Sequence, residues 1–156
     1  TATLEILIPT YRRPESAIEA IASCLRVASN NVRVLCHSNG REPLIEEFCA
    51  QHGNRCCYGY FSEDMGAKAN FSWLLSNFTA DYGLFLSDED RLDAKGFPDF
   101  LEFLGVNAGV AAFVCSVYDS AHGSWFYHRP DLHGLPLALN SFVAHRMPAP
   151  WYLSGY

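Results

Sequence analysis

The stretch YGLFLSDED, Tyr82–Asp90, sets an apolar run against three acids placed side by side. An unpaired charge is costly to bury, so Asp88, Glu89 and Asp90 mark the point where a buried strand leaves the core. Two readings of the acids stand at this point. One is a solvated turn whose carboxylates cap the next segment. The other is a set of hard oxygen donors for a divalent cation.

The segments around it alternate between two periods. LEILIPT, Leu4–Thr10, predicts a short buried strand. Residues 14–28 predict a helix, with Pro14 in the first turn and Ile18, Ile21, Ala22 and Leu25 on one stripe. Strand, helix and strand follow over residues 31–40, 43–53 and 55–61, with Asn39-Gly40 and Gly53 as breakers. Residues 67–78 predict a helix with Phe71, Leu74, Leu75 and Phe78 on one stripe, and Tyr82–Ser87 a fourth strand. A short helix over residues 96–105 and a fifth strand over 109–119 come next, and His122-Gly123 turns the chain into a strand over 124–129. Residues 135–147 read as helix or extended, and 148–156 as irregular, then strand.

Strand, helix, strand in alternation predicts an α/β domain with three layers, a mostly parallel central sheet carrying helices on both faces. In such sheets ligands bind beyond the carboxyl ends of the strands. Those ends are PTYRRP, CHSNG, FSEDMG and SDED, four polar loops that should meet at one crevice. Arg12, Arg13 and Lys68 supply positive charge near helix starts, where anions are favoured. Asp88 and Asp90 supply oxygen ligands suited to Mg²⁺ or Mn²⁺. A metal-bridged diphosphate satisfies both sets. The chain lacks the glycine fingerprints of dinucleotide and P-loop sites and the G-x-S-x-G elbow.

The bulk properties narrow the class. The 156 residues make one ordinary domain, 49% hydrophobic and 18% charged, with core enough to fold unaided. A formal charge of −6 argues against a nucleic-acid partner. No apolar run is long enough for a transmembrane segment. Six irregularly spaced cysteines read as reduced thiols, which points to a cytoplasmic setting. Cys49, His52, Cys56 and Cys57 are a conceivable zinc set, but they lack paired knuckles, and Cys56 and Cys57 should face opposite sides of a strand. Thr1 and Tyr156 are compatible with cuts in a longer protein.

ILIPTYRRP, then GAKANFSWLLSNFTADYGLFLSDED, resembles family 2 glycosyltransferases of the GT-A fold. The likeness runs from about Leu4 to Leu92, with a weaker echo in WYLSGY. It implies a single nucleotide-diphospho-sugar transferase-like domain, with a donor half at 1–93 and a partial, possibly truncated acceptor half at 94–156. It implies donor contacts from Pro9, Thr10, Tyr11, Arg13, Ser38, Gly66, Lys68, Asn70 and Asp88, with Tyr11 packing on the base. It implies metal ligation by Asp88 and Asp90, with Ser87-Asp88-Glu89 as the alternative register. The reaction implied is transfer of a sugar to a carbohydrate or other hydroxyl acceptor, with inversion, as in polysaccharide biosynthesis.

Two departures stand out. The family's base-reading Asp at the end of the second strand is replaced by Cys36-His37-Ser38-Asn39. The general base has no aligned counterpart, and Asp119 and Asp131 are the weak candidates. The missing base-reading Asp and the missing acceptor half favour the rival reading, a non-catalytic nucleotide-sugar-binding or interaction module. His122, His128, His133 and His145 read as surface residues. Trp125, Phe126, Tyr127, Trp151 and Tyr152 read as packing or as a sugar platform.

Overall fold

The computed structural model describes residues 2–27, 29–107, 117–119 and 122–127. The chain divides into two compact units near Glu102. In the first unit β1 (Leu4–Thr10), α1 (Pro14–Leu25), β2 (Val32–Asn39), α2 (Pro43–Ala50), β3 (Cys56–Phe61), α3 (Gly66–Asn77) and β4 (Tyr82–Phe85) follow one another. A helix, α4 (Phe97–Val106), runs across the division.

The four strands form one all-parallel sheet in the order β3-β2-β1-β4. The chain steps outward from β1 to β3, then returns past β1 to lay down β4. The reversal puts a topological switch point between the carboxyl ends of β1 and β4. Right-handed crossovers require α1 and α2 on one face and α3 on the other. Side-chain alternation along β2 agrees: Cys36 lies near Cys49 of α2, whereas His37 stacks on Trp73 of α3 at 4.0 Å. Gly59 of β3 sits opposite His37. A β-carbon there would come within 2.9 Å of the imidazole and 3.0 Å of the indole, so glycine leaves the room this stack needs.

β1 is covered on both faces, as a central parallel strand must be. Its one acid, Glu5, is buried and held by an ion pair to Arg33, its register partner on β2, and by the Thr79 amide at 3.0 Å. On α1 the buried set is Ala17, Ala20, Ile21, Ser23 and Cys24, not the bulkier stripe the sequence predicts. Small residues let this helix lie close to both the sheet and α2, leaving Ile18 and Leu25 half-buried. On α3 the buried residues are Asn70 and Leu74, and Leu75 is 55% exposed. A polar side chain takes a core position there because it has partners, described below.

In the second unit β5 (Val117–Asp119) and β6 (Ser124–Tyr127) form an antiparallel hairpin. Gly123, at φ +65°, supplies the left-handed residue of its turn. The last three residues of the predicted fifth strand therefore pair with β6, not with the parallel sheet. Asp131, His128, His133, His145, Trp151, Tyr152 and the segments over 135–156 lie outside the described residues. Among the described residues no helix is long and apolar enough to cross a membrane.

Candidate functional site

The loop after β1 is shaped by two backbone restrictions. Arg12 takes φ +55°, a left-handed turn uncommon for a side-chain-bearing residue. Arg13 precedes Pro14, which keeps it out of the helical region. The resulting kink brings Tyr11 and Arg13 to the same cleft. The Arg12 guanidinium lies over the Tyr11 ring, 4.9 Å from its centroid.

The acidic turn docks against this loop. Asp88 is only 2% exposed. One carboxylate oxygen accepts the Thr10 hydroxyl at 2.6 Å, and the other pairs with Arg13 at 3.1 Å. The Ser16 hydroxyl donates to its backbone carbonyl at 2.7 Å. Arg13 also pairs with Glu89. Ser87 closes the turn, its carbonyl accepting the Asp90 amide at 3.0 Å and its hydroxyl the Glu89 amide at 3.2 Å. The Asp90 side chain is exposed and makes no ion pair among the described residues. Its pKa is raised by partial burial and by the charges of Glu89 and Asp88, against the opposing pull of Arg91. Among the described residues no group of three or more His, Cys, Asp or Glu side chains is placed to hold a metal ion.

The start of α3 forms the opposite wall. The Gly66 amide donates to Asp64 at 2.8 Å, an Asx-type turn. The Met65 amide donates to Asn39 Oδ1 at 3.3 Å, tying the end of β2 to the same helix start. Tyr11, Arg13, Asn39, Asp64, Gly66 and Ala67 enclose a cleft of about 450 Å³. Three of the four predicted loop ends thus line one cleft, and the fourth reaches it through the Asp88–Arg13 pair.

Behind the cleft, Asn70 joins three elements. It is 3% exposed, donates through Nδ2 to the Thr10 carbonyl at 3.2 Å and meets His37 Nδ1 at 2.5 Å. With Nδ2 committed to Thr10, Oδ1 faces the imidazole, so Nδ1 carries the proton. Nε2 then bears a lone pair, buried and without a partner among the described residues. Burial lowers the His37 pKa, and the Asn70 bond works the other way. The unfolded chain therefore takes up this proton first on acidification. Stability present above about pH 6.5 should fall as pH drops from there toward the lowered native value. Denaturation midpoints measured across that range should show this decline, and His37→Phe should flatten it. An unchanged slope in the variant would assign the decline to other groups.

The remaining predicted residues are placed differently. Pro9 is half-buried within β1. Ser38 is fully buried, its hydroxyl engaged with Tyr58 at 2.6 Å and the Gly40 carbonyl at 2.5 Å. Lys68 is exposed and does not line the cleft. Asp119 ends β5 in the second unit. Of the conceivable zinc set, Cys57 is exposed, Cys49 and Cys56 are buried in mutual contact, and His52 bonds the Phe48 carbonyl through Nδ1. Asn39 and Asp64 lie in loops expected at the crevice but were not singled out as site residues, and Ala67 lies outside those loops. Asp64 had a readable signal: an Asp two residues before a helix-opening Gly.

A doubly wound parallel sheet with polar loops meeting beyond the carboxyl ends of β1, β2 and β3 defines an α/β ligand-binding class. The chain belongs to glycosyl transferase family 2, whose profile matches residues 5–152. It is 25% identical over 87 residues to an uncharacterised glycosyltransferase of Rickettsia typhi, RT0329, covering 56% of this chain and 27% of that one. S. aureus TarS is similar in structure, with TM-score 0.59 at 13% identity over 68% of this chain and 20% of TarS. The mannosyltransferase PcManGT from Pyrobaculum calidifontis, in complex with GDP-Man and Mn²⁺, gives TM-score 0.56 at 11% identity, covering 66% of this chain and 32% of that one. TarS 1–349 in complex with UDP gives 0.52 at 13% identity, covering 68% and 33%. The fold is of the GT-A type shared by these glycosyltransferases. The chain spans about a quarter of the length of the Rickettsia relative.

Proposed function

We propose that this domain binds a nucleotide-diphospho-sugar and that the protein transfers the sugar to a hydroxyl acceptor with inversion. The observation that carries the reading is the cleft beyond the carboxyl ends of β1, β2 and β3, walled by Tyr11, Arg13, Asn39 and the start of α3, with the acidic turn after β4 tied to it by the Asp88–Arg13 pair. Tyr11 offers an aromatic face to a base. Arg13, held by Asp88 and Glu89, is oriented at the mouth where a diphosphate would lie. Asp90 would hold Mn²⁺ or Mg²⁺, with Asp88 behind it, and the ion when bound neutralises charge on a leaving diphosphate. The UDP and the GDP-Man with Mn²⁺ carried by proteins of this fold support the same reading. Asp119 is the candidate for taking the acceptor proton that the described residues include.

The test is thermal stability with UDP, GDP, dTDP and CDP, each with and without Mn²⁺. A ligand bound only by the folded state at a hundredfold its Kd adds about 2.7 kcal/mol. One nucleotide should raise the midpoint by several degrees in a Mn²⁺-dependent way. Asp90→Ala should lose the Mn²⁺ dependence while melting like the natural chain without ligand. No shift with any of the four would overturn the donor site. Binding without turnover in the full-length protein would instead establish the rival reading, a non-catalytic nucleotide-sugar-binding module. That reading is favoured by one observation: β2 ends in Cys36-His37-Ser38-Asn39, with no acid to read a base.

A further inference from the structure

Away from the cleft, at the amino end of the edge strand β3, two thiols meet. Cys49 lies in the last turn of α2 and Cys56 opens β3. Their sulfurs are 2.8 Å apart, closer than a relaxed thiol contact, and both residues are buried. A short connection with a turn over Gly53–Arg55 joins them, and Gly53 takes φ +57°. The pair lines a separate cavity of about 200 Å³ with Glu46, Ala50, Gly53 and Tyr58. Nothing in the sugar-transfer reading uses this cavity.

We propose that Cys49 and Cys56 form a reversible dithiol–disulfide site that cross-links the end of α2 to the start of β3. A covalent S–S bond is about 2.05 Å long, so closure needs less than an ångström of further approach. The co-reactant is a low-molecular-weight disulfide. One protein thiol loses its proton and attacks the small disulfide, releasing one small thiol and leaving a mixed disulfide. The second protein thiol then displaces the other small thiol. Each protein sulfur gives up one electron and one proton, and the small disulfide is reduced to two thiols. The cavity is the route by which the reagent reaches the pair.

Two features set its behaviour. Cys56 donates to Cys49, and that contact together with burial pushes the Cys56 thiol up, so little thiolate exists at neutral pH. Exchange is therefore slow, in the range of minutes to hours. The site also touches the cleft's scaffold. Tyr58, which lines the cavity, holds the Ser38 hydroxyl at 2.6 Å and the Glu42 amide at 2.8 Å with its own hydroxyl. Ser38 is the neighbour of the cleft residue Asn39.

The experiment uses the whole chain carrying Cys57→Ser, which removes the exposed thiol beside the pair. The folded protein is incubated with oxidised glutathione, then denatured, alkylated and mapped by mass spectrometry. The expected product has lost two hydrogens, with Cys49 and Cys56 joined in one peptide pair and protected from alkylation. It should melt several degrees higher than the reduced protein, and dithiothreitol should reverse both changes. Full alkylation of Cys49 and Cys56 after oxidation would overturn the proposal. So would a stable glutathione adduct on either cysteine, or a disulfide that engages Cys36 or Cys24 instead.

Discussion

Asp88→Ala should lower stability by about 2–4 kcal/mol and abolish the nucleotide-dependent shift. Removing one member of a buried charge pair costs roughly 3–5 kcal/mol when the other stays buried. Arg13 is 47% exposed and keeps much of its hydration, which pulls the figure down. The Thr10 hydroxyl is the larger difficulty, because it is left buried without an acceptor, at about 1–3 kcal/mol. The Ser16 bond survives, since it runs to the backbone carbonyl of residue 88. Asp88→Asn separates charge from hydrogen bonding. Its amide oxygen still accepts from Thr10, so it should lose about 1–2 kcal/mol, while Arg13 keeps only its exposed pair with Glu89 and nucleotide affinity falls. Urea midpoints at constant slope measure the stability term. Thr10→Val combined with Asp88→Ala should cost less than the sum of the two single changes. Strict additivity would mean that the two side chains do not act as a unit.

The parts of this fold legible in sequence are those governed by periodicity and punctuation. Pro14 and Pro43 open helices, Gly53 and Gly66 take left-handed conformations, and the seven elements of the first unit fall where the apolar pattern changes period. Convergence of the loop ends was legible too, because alternation implies a parallel sheet and a parallel sheet implies a crevice at its carboxyl edge. What was not legible depended on partners far away in the chain. Asn70 reads as a donor contact by resemblance, and its bonds to His37 and Thr10 appear only when those residues are placed beside it. Ser38 looks available for a ligand until Tyr58, twenty residues on, takes its hydroxyl. Asp88 and Asp90 look equivalent in sequence, yet the turn at Ser87 buries one and exposes the other. Asn39 read as a turn residue because the pair Asn-Gly is a turn signal, and nothing local showed that its side chain would hold the Met65 amide at the cleft wall.

Asn70→Ala is the second large effect, and it joins the core to the cleft. The truncation deprives two buried groups of partners, the His37 Nδ1–H and the Thr10 carbonyl. At about 1–3 kcal/mol for each orphaned group, the expected loss is about 2–6 kcal/mol. Replacing both ends of a buried hydrogen bond by apolar groups is far milder than removing one end. His37→Phe placed in the Asn70→Ala background should therefore recover about 1 kcal/mol, although His37→Phe alone is destabilising because it strands the Asn70 carbonyl. Asn70→Asp gives an independent check through pH. Its carboxylate accepts from His37 and favours the imidazolium, so the native pKa of His37 rises and the stability lost on acidification shrinks. The same carboxylate cannot donate to the Thr10 carbonyl, so the loop that carries Tyr11 and Arg13 loses its tie to α3. Nucleotide affinity should then fall in Asn70→Asp even where stability is regained at low pH. Affinity that instead followed stability across His37→Phe, Asn70→Asp and the double variant would make Asn70 a core residue only. Affinity that fell whenever the donation to Thr10 is lost would make it the residue that positions the loop.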